Sequence, residues 1–174
     1  MKRTALILAL AAVLGTVATQ ARDLLVRFDG GIGVIPAAAA AGPVNLDGTF
    51  PNVKSNIIRG VAPGAGPWRI SDLHAEVDVD GRIRVRGRGL LLASSNSIGT
   101  NAGQSVFATL ICEATAPFVE RSTPSTGVPL DQNGDFRIDD VLDPAPSDCA
   151  SPVLLIRNRA GVWFAAGIPR LGDN

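Results

Sequence analysis

The chain has 174 residues, 16 Lys and Arg against 16 Asp and Glu, and one histidine, so its formal net charge at pH 7 is zero. That balance excludes the global pull toward nucleic acid that a basic excess creates. The aromatic supply of two Trp, six Phe and no Tyr is thin for a sugar-stacking surface.

Residues 1–21, MKRTALILALAAVLGTVATQA, carry Lys2 and Arg3, an apolar run through Val17, and small residues at Thr19 and Ala21. This pattern predicts a secretory leader cleaved after Ala21, and its apolar run is too short for a spanning helix. Without it, 14 basic residues face 16 acidic ones, a net charge of about −2. The chain is expected to be exported, periplasmic or extracellular, with residues 22–174 as one domain that buries roughly 70% of its unfolded surface. Residues 22–45 are left open as either part of the sheet or an N-terminal arm and linker.

Along that domain, short apolar and β-branched runs alternate with Gly, Pro, Asn, Asp and Ser clusters, the spacing of an all-β sandwich or barrel. Strands are predicted at Leu24–Phe28, Ile32–Ile35, Ile57–Val61, Trp68–Val79, Arg82–Ala93, Val106–Cys112, Phe136–Val141, Val153–Arg157 and Val162–Ala166. The one helix-favouring stretch past the leader, Ala37–Ala41, lies between Pro36 and Gly42-Pro43, and five residues do not sustain a helix unaided.

The hairpin DLHAEVDVDGRIRVRGRG sets its own register by parity. Leu73, Ala75 and Val77 must share a face with Ile83 and Val85, which requires the three-residue loop Val79-Asp80-Gly81 and pairs Val77 with Ile83. The outer face then sets Asp78, Glu76, His74 and Asp72 opposite Arg82, Arg84, Arg86 and Arg88. Two readings follow: an arginine strip for an anionic partner, or a solvated ladder in which three of the four arginines face a carboxylate. Arg86 and Arg88 are the end least neutralised.

Beyond this hairpin, SSNSIGTNAGQ, Ser94–Gln104, is the longest polar loop between strands, and such loops often carry binding function. Cys112 and Cys149, an even count in an exported chain, predict a disulfide closing a loop of 36 intervening residues. In DQNGDFRIDD, Asp131, Asn133 and Asp135 have the first three ligand positions of a calcium loop. However, Phe136 and Leu142 stand where such a loop needs Gly and an acid, and Phe136 and Ile138 alternate as a strand does. A hairpin with the loop Gln132-Asn133-Gly134 is expected, with calcium the one cofactor kept open. Trp68 and Trp163 are candidate platform residues, with core burial of at least one ring expected because Trp163 alternates with Phe164 in an apolar hairpin.

No nucleophile elbow, Ser-x-x-Lys pair or His-x-x-x-His set occurs. On one strand face, His74 and Asp72 lie about 7 Å apart and could form part of a hydrolase constellation if a serine approached. Together, RFDGGIGVIP, RGRGLLLA, GQSVFATLIC, NGDFRID and PVLLIRN with WFAAGIP resemble small exported proteins of proteobacteria without an assigned activity. That resemblance implies a secreted β-rich domain and carries over no functional residue. Fimbrial sandwiches are similar in architecture only, and they usually have a C-terminal tyrosine that this chain lacks. The sequence thus favours a non-enzymatic binding or structural module, with an envelope protein or polysaccharide as partner, no nucleic acid and no membrane span. A His74–Asp72 hydrolase and a self-assembling surface or fimbrial-type subunit are the alternatives, and the oligomeric state is open.

Overall fold

A computed structural model describes residues 23–49 and 52–170; the leader expected over 1–21 lies outside them. The described chain is all-β, with thirteen strands and no helix. Nine strands make one antiparallel sheet in the order β10 (Val128–Pro129), β8 (Ser105–Ile111), β12 (Val153–Asn158), β13 (Trp163–Pro169), β1 (Leu24–Gly33), β5 (Asp72–Asp78), β6 (Arg82–Arg88) and β11 (Phe136–Val141), with β9 (Arg121–Ser122) also on β8. The two ends of that order are joined in sequence by the β10–β11 turn, where Asp131 N–H donates to Asp135 C=O at 2.9 Å. Beyond it, Ser122 and Asp143 exchange backbone hydrogen bonds at 3.0 Å. The sheet therefore curls into a nearly closed barrel, the second of the two arrangements open from sequence.

Alternation drives the curl. Phe28, Leu73, Ala75, Val77, Ile83, Val85, Phe136 and Ile138 are buried on β1, β5, β6 and β11, and Val106, Ala108, Leu110, Leu154 and Ile156 on β8 and β12. Gly87 pairs with Phe136, and a Cβ there would enter the Phe136 ring, so the missing side chain makes room for an aromatic one. Val77 pairs with Ile83, Glu76 with Arg84, His74 with Arg86 and Asp72 with Arg88, as parity requires. Gly81 has φ +86°, which an L side chain rarely adopts, and closes the turn through its N–H to Asp78 C=O at 3.0 Å.

Several elements differ from expectation. Leu24–Phe28 and Ile32 onward join in one strand through a bulge between Phe28 and Gly31, so residues 24–33 are a central strand, not an arm. Trp68–Val79 breaks after β4 (Trp68–Arg69), and Arg82–Ala93 breaks before β7 (Leu91–Leu92); β4 and β7 pair as a separate ribbon. Ile57–Val61 is a tight turn, with Ile58 and Val61 exchanging backbone bonds. The alanine run supplies β2 (Ala37–Ala39), paired with β3 (Val53–Ser55). Both indoles are buried: Trp68 stacks on Phe164 with centroids 4.1 Å apart, and Trp163 donates Nε1–H to Asn56 C=O at 3.1 Å. Neither is a platform.

Cys112 and Cys149 form a disulfide that ties the end of β8 to the approach of β12, as expected. Arg59 clamps the same corner, donating to the Ile111 and Ser151 carbonyls and to Ser151 Oγ.

Candidate anion-binding face

Outward parity on four adjacent strands builds two rows of charged side chains across the barrel wall. The β11–β6 register sets Arg137 opposite Arg86 and Asp139 opposite Arg84, and the β1–β5 register sets Asp29 opposite His74 and Arg27 opposite Glu76. One row reads Asp139, Arg84, Glu76, Arg27; the next reads Arg137, Arg86, His74, Asp29.

The first row alternates in sign and satisfies itself. Glu76 sits between Arg27 at 2.8 Å and Arg84 at 3.7 Å, and Arg84 also reaches the buried Asp78 at 3.3 Å. The second row does not alternate. Asp29 and Asp72 both approach His74, at 2.6 Å from Nδ1 and 3.1 Å from Nε2.

The consequence is a correction to the expected ladder. Asp72 turns to His74 instead of Arg88, and Asp78 reaches diagonally to Arg84 instead of Arg82. Among the described residues Arg82, Arg86 and Arg88 have no carboxylate within 4.0 Å, and Arg137 has only Asp139, at 3.9 Å. Of the four strip arginines, Arg84 alone realises its neutral pairing.

Two shallow clefts meet at the Arg86–Arg137 pair. One, of about 480 Å³, is lined by Arg27, Arg84, Arg86, Arg137 and Arg170, with Asp29 and Glu76 as its carboxylates. Its neighbour, of about 490 Å³, is lined by Arg86, Arg88, Arg137, Asp131, Asp135 and Phe136 among others. Arg86 and Arg137 belong to both. Family models, curated proteins and solved structures give no match to this chain. Function has to be read from the side chains of this face.

The remaining candidates separate from it. Both ring nitrogens of His74 already face carboxylates, and the hydroxyl of Ser71, the nearest serine in sequence, accepts from Arg69 Nη1 at 3.2 Å. In the β10–β11 turn, Asp135 accepts from Gly89 N–H at 3.0 Å and from Asn133 Nδ2 at 3.0 Å, while Asn133 Oδ1 accepts from Asp135 N–H. Those carboxylate and amide oxygens brace a tight turn, whose flanking strands pair with β8 and β6 and not with each other. No cluster of three or more His, Cys, Asp or Glu side chains is placed to hold a metal ion among the described residues. The polar loop is braced too, with Asn101 Nδ2 donating to the Leu130 and Asp131 carbonyls. Missed from sequence were Arg27, Asp29, Arg137 and Arg170. Parity within β11 already turns Arg137 outward, but nothing local announces that β11 lies beside β6.

Proposed function

We propose that the protein is a non-enzymatic binding module of the envelope or extracellular space that holds an acidic polysaccharide against the Arg86–Arg137 face. The observation that carries this reading is Arg86 directly opposite Arg137, two like charges side by side at the shared wall of two clefts, with Arg86 lacking a carboxylate within 4.0 Å among the described residues and Arg137 reaching only Asp139, at 3.9 Å. Like charges so placed destabilise a sheet unless something bridges them, and a pair of guanidinium forks suits a carboxylate, sulfate or phosphate oxygen pair. Two adjoining polar clefts favour a chain of sugars over a single small ion. The disulfide supports an oxidising compartment, and no described helix is long and apolar enough to cross a membrane. A hydrolase on His74 and Asp72 has no comparable observation behind it.

The test is retention of the oxidised mature protein on polygalacturonate and on dextran sulfate, with neutral dextran as reference, across a salt gradient. Arg86→Ala and Arg137→Ala should each weaken binding about tenfold or more, since hydrogen bonds to charged groups are worth roughly 1.5–3 kcal/mol. Arg82→Ala, outside both clefts, should leave it unchanged. Equal retention of all three variants and the parent would end the proposal.

A further inference from the structure

Four carboxylates line the two clefts of the anion-binding face, Asp29 and Glu76 in one and Asp131 and Asp135 in the other. Three of them are engaged. Asp29 meets His74 at 2.6 Å, Glu76 meets Arg27 at 2.8 Å, and Asp135 accepts from Gly89 N–H and from Asn133 Nδ2. Asp131 differs: its residue is exposed, and its carboxylate has no hydrogen-bond or ion-pair partner among the described residues.

Its backbone, by contrast, is held at three points. Asp131 N–H donates to Asp135 C=O at 2.9 Å, and its C=O accepts from Gly134 N–H at 2.8 Å and from Asn101 Nδ2 at 3.0 Å. None of these bonds uses the side chain, so the turn does not need the charge. The carboxylate is left to act on whatever enters the cleft, which Arg86, Arg88 and Arg137 also line. Toward a ligand that is only anionic, it is a repulsion, and repulsive elements of this kind set selectivity. A ligand that carries an ammonium group beside its acid turns the same charge into an attraction.

We propose that Asp131 makes this cleft selective for a zwitterionic stretch of polysaccharide: the acid group lies on Arg86 and Arg137, and an unacetylated amino sugar beside it presents its ammonium to Asp131. The inference rests on the reading of this face as a polysaccharide site and names the class of chain it takes, one in which acidic sugars neighbour free amino sugars. An ammonium offers three donors and a full charge to the carboxylate. An N-acetyl group in its place is neutral and forfeits the charge. Asp135, across the turn, reinforces the negative sign of this end of the cleft while its own oxygens stay committed to Gly89 and Asn133. A polymer with an acid on every sugar and no amine binds through the arginines alone, against the repulsion of Asp131.

Heparin stripped of its N-sulfates, which carries uronates, O-sulfates and free amines, and the same polymer after N-acetylation form the test pair, titrated calorimetrically into the oxidised mature protein at low ionic strength. The unmodified protein should bind the free-amine polymer about threefold tighter, the size of one exposed ion pair. Net charge alone predicts the opposite order, because the amines make that polymer less anionic. Raising the pH until the amine is neutral should remove the preference, since the arginines keep their charge. Asp131→Asn should lose the preference for the free-amine polymer, and Arg86→Ala should weaken binding to both. Equal affinity of the unmodified protein for the two polymers, with Arg86→Ala still weakening both, overturns the selectivity and leaves the anion-binding face standing. A preference that survives in Asp131→Asn overturns it as well. No binding of either polymer overturns the face and the selectivity together.

Discussion

Glu113 accepts from Arg121 Nη2 at 2.9 Å and from Val119 N–H at 3.2 Å, and these bonds, the arginine's first, hold its carboxyl at about 2 in place of the usual 4.5. A depressed carboxylate contributes stability above its unfolded pKa and loses it as pH falls through the folded one. Glu113→Gln should therefore destabilise by about 0.5–1 kcal/mol at pH 7, a gap that closes between about 4.5 and 2 in urea titrations across pH. Arg121 is largely buried and its Nε has no partner among the described residues, so losing Glu113 strands a cation already short of bonds. Gly87 is sensitive for a different reason. Gly87→Ala pushes a methyl group into the Phe136 ring and should cost about 1–3 kcal/mol, read as a drop in Tm of about 2–4 °C per kcal/mol. At this scale the sequence was informative about Arg86, whose outward position follows from Ile83 and Val85. It was silent about what lies beside Arg137 and Asp29, because their neighbours come from strands distant in the chain, and no local period encodes which strand lies beside which.

Among the elements, the β5–β6 hairpin was readable because parity allows one loop length and Gly81 occupies the left-handed position. The turn at Gln132-Asn133-Gly134 forms too, with Gly134 at φ +81°, but its flanking strands pair with β8 and β6 instead of with each other, so the expected Leu130–Phe136 and Val128–Ile138 pairs do not form. The Asp131–Asp135 turn should accordingly behave as a brace. Millimolar calcium after EDTA should leave Tm unchanged, whereas a site filled at a hundred times its dissociation constant adds about 2.7 kcal/mol and would lift Tm by roughly 5–10 °C. What could not be read were the elements whose residues have little strand preference. Alanine is depleted in strands, so Ala37–Ala39 gave no signal, and it is held by the pairing with Val53–Ser55. Strands of two residues, such as Arg121–Ser122, are too short for any alternation to show. The bulge in β1 hid one strand as two, since Asp29-Gly30-Gly31 looks like a turn until β13 and β5 are seen on either side of it.

For the molecule as a whole, the disulfide joins segments with 36 residues between the cysteines, and chain-entropy reasoning gives it roughly 3–4 kcal/mol. Reduction, or the double change Cys112→Ala with Cys149→Ala, should lower Tm by about 6–16 °C, measured calorimetrically with and without reductant. The pairing itself was readable because two cysteines admit one bridge; the closed sheet was not, since its order depends on contacts between strands far apart in the chain. The position of β13 in that order has a consequence for assembly in time. Twelve described strands precede it, yet it is the one that bridges β12 to β1. While the chain is synthesised or threaded from its N-terminal end, β1 can meet β5, β12 can meet β8 and Ser122 can meet Asp143, but the seam between β12 and β1 stays open until Trp163–Pro169 arrives. Until then β12 and β1 each keep one edge unpaired, the kind of edge that can template pairing with another chain.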